Sequence, residues 1–184
     1  METTVKPSHP VMVDQLIVLY GEAALDSRIA GSRWYRESRR EARRLSRDYA
    51  VTLSQGAGII AALSPQVQWD VNLRLARQVA EHGEVNEGCL RQSADKAWRI
   101  WHGERPLRVL GGMKTRAFYR AIMGDDDSVV IDTWMLYAVG WPNRSVTAKQ
   151  YLRVAAALAE AAEFVGEANA TFQAIVWTHV RGRA

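Results

Sequence analysis

The sequence predicts an all-α fold, an orthogonal helical bundle, on three observations. Most stretches between residues 11 and 180 repeat their apolar side chains at intervals of three and four, the spacing that lines one face of a helix. Proline, glycine or capping residues punctuate those stretches. The one β-like fragment, Val-Val-Ile at 129–131, is too short to build a sheet. At 184 residues, 48% apolar and 24% charged, the chain has the make-up of one globular domain, expected over residues 11–184 after a flexible N-terminus of residues 1–10.

Residues 11–24 open the bundle, with Val11, Leu16, Leu19 and Tyr20 close to helical spacing. Residues 32–49 alternate Arg and Glu around Trp34, Tyr35, Ala42 and Leu45, which predicts a surface helix with one apolar stripe. Residues 52–64 begin with a capping threonine and run through Ala57, Ile59, Ile60, Ala61, Ala62 and Leu63. This is the expected buried central helix, stopped by Pro65. Residues 68–82 resume the pattern through Val71, Leu75 and Val79 until Gly83 ends it. Residues 87–102 hold one or two short helices with Leu90, Ala94, Trp98 and Trp101 turned inward. Two short helices, 115–123 and 133–139, flank the acidic turn at 124–127, and 146–165 and 168–180 supply the last two long ones.

The formal charge of +4, carried mostly by arginine, favours an acidic partner such as nucleic acid, because cations that neutralise phosphates release condensed counterions. The arginines cluster at 28–47, at 105–120 and at Arg181 and Arg183; the first cluster reads equally well as a solvated helix face. No apolar run approaches the roughly 20 residues that span a bilayer, and the start lacks a basic-then-apolar leader, so the expected place is the cytoplasm, with no membrane partner. The lone Cys89 excludes an intrachain disulfide and a four-cysteine metal or iron–sulfur site from this chain alone. His9, His82, His102 and His179 have no metal-ligand spacing, and Asp125, Asp126 and Asp127 read as a solvated turn; no metal and no cofactor are expected.

Chemistry concentrates in three short segments. Gly111 and Gly112 precede Lys114 at a helix start, where a backbone free to take positive φ and unpaired N–H groups suit either a tight interhelical turn or a bound phosphate. Lys114 reads as a surface charge or, if partly desolvated, as an amine nucleophile. Asp132 stands where the fragment 129–131 meets a helix, so it caps that helix and is also placed to stabilise positive charge on a sugar. Ser64, Pro65 and Gln66 leave the most apolar helix as a polar loop, continued by Gln68, Trp69, Asp70 and Asn72, and Trp69 is a candidate for stacking on a base.

Together these segments resemble the helix-hairpin-helix DNA glycosylase superfamily, endonuclease-III-like and adenine-glycosylase-like, from about residue 54 to 183. Ala62-Leu-Ser-Pro-Gln66 is similar to the "LLSAQ" segment whose glutamine enters the duplex. Gly111-Gly-Met-Lys-Thr115 is similar to the end of the hairpin "LPGVGRKT", whose lysine attacks C1′ in bifunctional members. Val130-Ile-Asp-Thr-Trp134 is similar to "VDTH", whose aspartate is the catalytic carboxylate, and Phe172 to Arg183 is similar to the "LILHGR" helix. The chain departs from the pattern at Val109 and Leu110, which stand for the hairpin's proline and first glycine, and at Trp134, which stands for the histidine. It resembles a short, cluster-free, phage-type member.

The resemblance implies a monomeric enzyme in a bacterial or phage-infected cell, acting on double-stranded DNA with a damaged or modified base. Asp132 stabilises the oxocarbenium ion, Lys114 is the nucleophile, both face one cavity, and an abasic-site lyase step is possible. Gln66, Trp69, Gly111, Gly112, Thr115, Arg116 and Trp134 are the expected DNA and base contacts, with Trp34 and Tyr35 among the pocket walls. Two alternatives stay open: a transferase that joins an amine or amino acid to activated 5-hydroxymethyluracil in phage DNA, and a DNA-binding module of the same fold without catalysis.

Overall fold

The computed structural model describes residues 6–85 and 87–182, and among them every regular element is a helix. The chain divides into two compact units, one of Met1–Tyr35 with Asp126–Ala184 and one of Arg36–Asp125. The division falls inside the helix α2 (Leu25–Asp48) and in the turn at 125–126.

The first unit is built around α1 (His9–Glu22), with α8 (Thr133–Ala138), α9 (Ala148–Val165) and α10 (Asn169–Gly182). Helix α1 starts at His9, two residues before the apolar pattern does, because Pro10 lies in the first turn, where no N–H is needed. Of the segment expected to be flexible, His9 and Pro10 are therefore helical, and residues 1–5 lie outside the described residues, as does Arg183. α1 packs on α9 and α10, and α8 sits against all three. Their shared interior holds Met12, Leu16, Ile131, Met135, Leu158 and Phe172, all fully buried. The Tyr20 and Phe172 rings stack at 4.8 Å. At the end of α1, Arg28 lies over the Tyr20 ring and donates to the carbonyls of Tyr20 and Ala23, a cation placed at the negative end of the helix dipole.

In the second unit α3 (Leu53–Leu63) is the hub, packed against α4 (Trp69–His82), α5 (Arg91–Trp101), α6 (Pro106–Val109) and α7 (Met113–Met123). Its start is a capping box: Thr52 accepts from the Gln55 backbone, and the Gln55 side chain accepts from the Thr52 backbone. The same Gln55 side chain donates to the carbonyls of Ile100 and Trp101, so it also closes the end of α5. The expected inward face of α5 is corrected by one register. Ser93, Ala97 and Ile100 are buried, whereas Trp98 is 48% exposed and rests on His102. An indole covers its neighbours while keeping an edge in water, so Trp98 mimicked a core position in the pattern. Helix α6 has only four residues, too few to show a helical repeat, and is not anticipated by the pattern.

Candidate functional site

Asp132 is held from two sides within the first unit. Val129 and Ile131 are buried, and the Tyr151 hydroxyl donates to the Val129 carbonyl, which fixes the extended segment that delivers Asp132 to the start of α8. There the carboxylate is the N-cap, and Oδ1 accepts from the backbone N–H of Trp134 at 3.0 Å and of Met135 at 3.1 Å. From α10 the indole Nε1 of Trp177 donates to Oδ2 at 3.0 Å. Three N–H donors on two helices leave this half-buried carboxylate little freedom to rotate.

The Trp177 ring has two further neighbours. Trp34 meets it at 5.1 Å on a tilt of 48°, and the Arg181 guanidinium lies 4.5 Å from its centroid. One turn before Trp177 on the same helix, Gln173 accepts the Tyr35 hydroxyl at 2.5 Å. The helices can approach this closely because position 31 is glycine: a Cβ there would stand 2.5 Å from the Ile175 Cα. Burial, then the negative charge of Asp132 and of Tyr151, hold the Tyr35 phenol well above its ordinary 10.0, so it stays a donor.

The glycine-rich hairpin lies in the second unit and joins α6 to α7. Gly112 has φ 77° and ψ 153°, a conformation that L side chains avoid, and it is the N-cap of α7. Leu110, where the resemblance expects a glycine, has φ −64° and is 2% exposed: this turn needs no glycine there and uses the side chain as a core anchor. Arg116 reaches back to the Leu107 carbonyl at 2.5 Å and Thr115 donates to the Gly111 carbonyl, so both stiffen the hairpin. Lys114 is half-buried in the first turn of α7, one turn before Phe118, whose ring takes the edge of Trp69 at 6.4 Å. Trp69 thus borders the helix face that carries Lys114.

Gln66 is exposed in the turn after α3 and is the non-glycine residue with positive φ, 60°, among those described. Asn72, expected on the polar edge beside it, is buried instead and donates to the Ile60 carbonyl at 3.0 Å. The structure therefore groups Gly111, Gly112, Lys114, Thr115, Arg116, Trp69 and Gln66 in one unit, and Asp132 and Trp134 with the expected walls Trp34 and Tyr35 in the other. Trp134 is half-buried and meets Tyr137 edge-on at 6.4 Å. Trp177 and Gln173 are additions; both lie in the segment that resembles the penultimate helix, but nothing in the spacing links them to Asp132.

Among the described residues no group of three or more His, Cys, Asp or Glu side chains is placed to hold a metal ion. No helix among them is long and apolar enough to cross a membrane. A family model described as a family of unknown function, DUF7178, matches residues 2–184. No curated protein and no solved structure matches the chain.

Proposed function

We propose that the chain, which belongs to the DUF7178 family, is a DNA-base-acting enzyme: a glycosylase that takes a damaged or modified base flipped out of double-stranded DNA. Extrusion of the base costs roughly a few kcal/mol, least for a base that is already badly paired. Asp132 stabilises the positive charge that develops at C1′ as the glycosidic bond stretches. Lys114 supplies the amine nucleophile. Its nitrogen bonds to C1′, the glycosidic electron pair leaves with the base, and the base takes the proton that the amine gives up. Opening of the sugar ring then leaves a Schiff base, which water releases as an abasic site or which eliminates and nicks the strand.

The observation that carries this reading is the clamp on Asp132 by Trp134, Met135 and Trp177. A carboxylate whose orientation is fixed before substrate arrives need not reorganise when charge appears, which is where electrostatic catalysis gains most. The hairpin adds support: Gly112 brings the start of α7 to the surface, with Lys114 two residues on.

Borohydride reduction in the presence of lesion-bearing duplexes tests it. The expected result is a covalent protein–DNA adduct that Lys114→Ala abolishes and Asp132→Asn slows, with the Asn variant folded because asparagine also caps helices well. Neither adduct nor released base across a broad panel of modified duplexes would overturn the reading. A heavier nucleoside in the treated DNA would instead assign the transferase chemistry.

A further inference from the structure

The part of α2 that lies in the second unit carries six arginines between positions 36 and 47 and no lysine. At 100° per residue Arg36, Arg40, Arg43 and Arg47 fall on one face of the helix, and all four are exposed. The opposite side holds Ala42 and Leu45, both buried. Some of the charge nearby is paired: Arg44 with Glu41 at 2.7 Å, Arg47 with Asp48 at 2.7 Å, and Arg77 on α4 with Glu41 at 3.6 Å. Arg36, Arg40 and Arg43 have no ion pair among the described residues, and Glu37, on the flank of the face, makes none with them.

Arg36 with Arg40, Arg40 with Arg43, and Arg43 with Arg47 are like-charge pairs at helical spacing, each of which destabilises an isolated helix. A face maintained only for solubility would intersperse acids at those intervals. We infer that this arginine face is a docking surface for the phosphate backbone of duplex DNA. The choice of arginine throughout fits that partner, since its planar fork binds phosphate oxygens in pairs where lysine offers a point charge. From position 36 to 47 the stripe is roughly 16 Å long at about 1.5 Å per residue, enough to follow several phosphates of one strand. Insertion into a membrane surface does not fit, because an interfacial helix needs exposed aliphatic or aromatic side chains beside the cations, and the apolar residues of 36–48, Ala42 and Leu45, are buried. The inference rests on the glycosylase reading for its partner but not for its chemistry, since it uses neither Lys114 nor Asp132.

The test is binding of the full chain to an unmodified duplex, followed by fluorescence anisotropy over a series of salt concentrations. The triple variant Arg36→Ala, Arg40→Ala, Arg43→Ala keeps its helix, since alanine is the best helix former and the positions are exposed; circular dichroism checks this. The expected result is at least a tenfold weaker complex and a salt slope smaller by roughly 2.7, the value for three lost phosphate contacts. The control removes the same charge from the first unit, Arg144→Ala, Lys149→Ala, Arg153→Ala, and is expected to change the slope by less than one. Equal losses in both variants, an unchanged slope in the first, no duplex binding by the wild type, or tighter binding to polyglutamate than to duplex would each overturn the inference. A reduced slope with no borohydride adduct, no released base and no heavier nucleoside would leave the docking surface standing and remove the enzyme; an adduct with an unchanged slope would do the reverse.

Discussion

The indole nitrogen of Trp177 donates to Oδ2 of Asp132 over 3.0 Å, joining two residues that are 45 apart in the chain. Because Oδ1 is engaged by the first turn of α8, this bond determines the rotation of the carboxyl plane. Trp177→Phe retains a ring for Trp34 and Arg181 but removes the N–H. Loss of a hydrogen bond to a charged acceptor at a half-buried site is expected to cost about 1–2 kcal/mol in urea unfolding. If Asp132 acts at C1′, base release in single turnover slows about tenfold or more while duplex affinity holds. Unchanged stability and unchanged rate together would show that the bond orients nothing.

Tyr35 gives a pH signature. Its hydroxyl is held protonated in the fold, above the ordinary 10.0, by burial and then by Asp132 and Tyr151. A raised acid of this kind adds stability that is fully present below the unfolded value and is lost as pH climbs through the folded one, because the unfolded chain gives up the proton first. Thermal melts from about pH 9 to about pH 12 should therefore fall more steeply for the wild type than for Tyr35→Phe. At neutral pH the variant should be less stable by about 1–3 kcal/mol, since the buried Gln173 oxygen loses its donor. Parallel melting curves across that window would count against the assignment.

Gly31 sets the approach of α2 to α10 that brings Trp34 and Tyr35 to Trp177 and Gln173. With backbone rather than a side chain in the way, at 2.5 Å from the would-be Cβ, Gly31→Ala cannot be relieved by a rotamer change. A loss of about 1–3 kcal/mol in chemical denaturation is expected, the usual range for overpacking, accompanied by a change in the tryptophan fluorescence of the Trp34–Trp177 pair. A gain in stability, as an alanine in a helix interior would ordinarily bring, would show that the helices separate without cost.

Local chemistry was legible in the sequence and long-range pairing was not. The capping threonine at Thr52, the stop at Gly83 and the cap at Asp132 each depend on residues within a turn of one another, so spacing alone locates them. Trp98 misled because hydrophobicity does not say which edge of an indole faces water, and α6 escaped because four residues carry no period. The partners of Asp132 and Tyr35 on α10 depend on how helices cross, which no local rule supplies. The cut between Tyr35 and Arg36 left no mark either, since it falls inside α2 with no proline or glycine at the junction, whereas the other cut falls in the acidic turn after Gly124, which the sequence did show.

Gln66 separates a structural from a functional reason for its backbone. At φ 60° a glutamine side chain is strained, by roughly 1–2 kcal/mol relative to a right-handed conformation, and glycine is not. Gln66→Gly is therefore expected to raise stability by about 0.5–1 kcal/mol in urea unfolding, the exposed side chain having no packing to lose. If the glutamine enters the duplex to fill the space of an extruded base, the same variant binds a duplex with an abasic site several-fold more weakly, while its affinity for intact duplex is unchanged. A more stable protein with undiminished abasic-site affinity would mean that the turn after α3 tolerates the strain without using it. A less stable one would mean that the Gln66 side chain supports the turn itself.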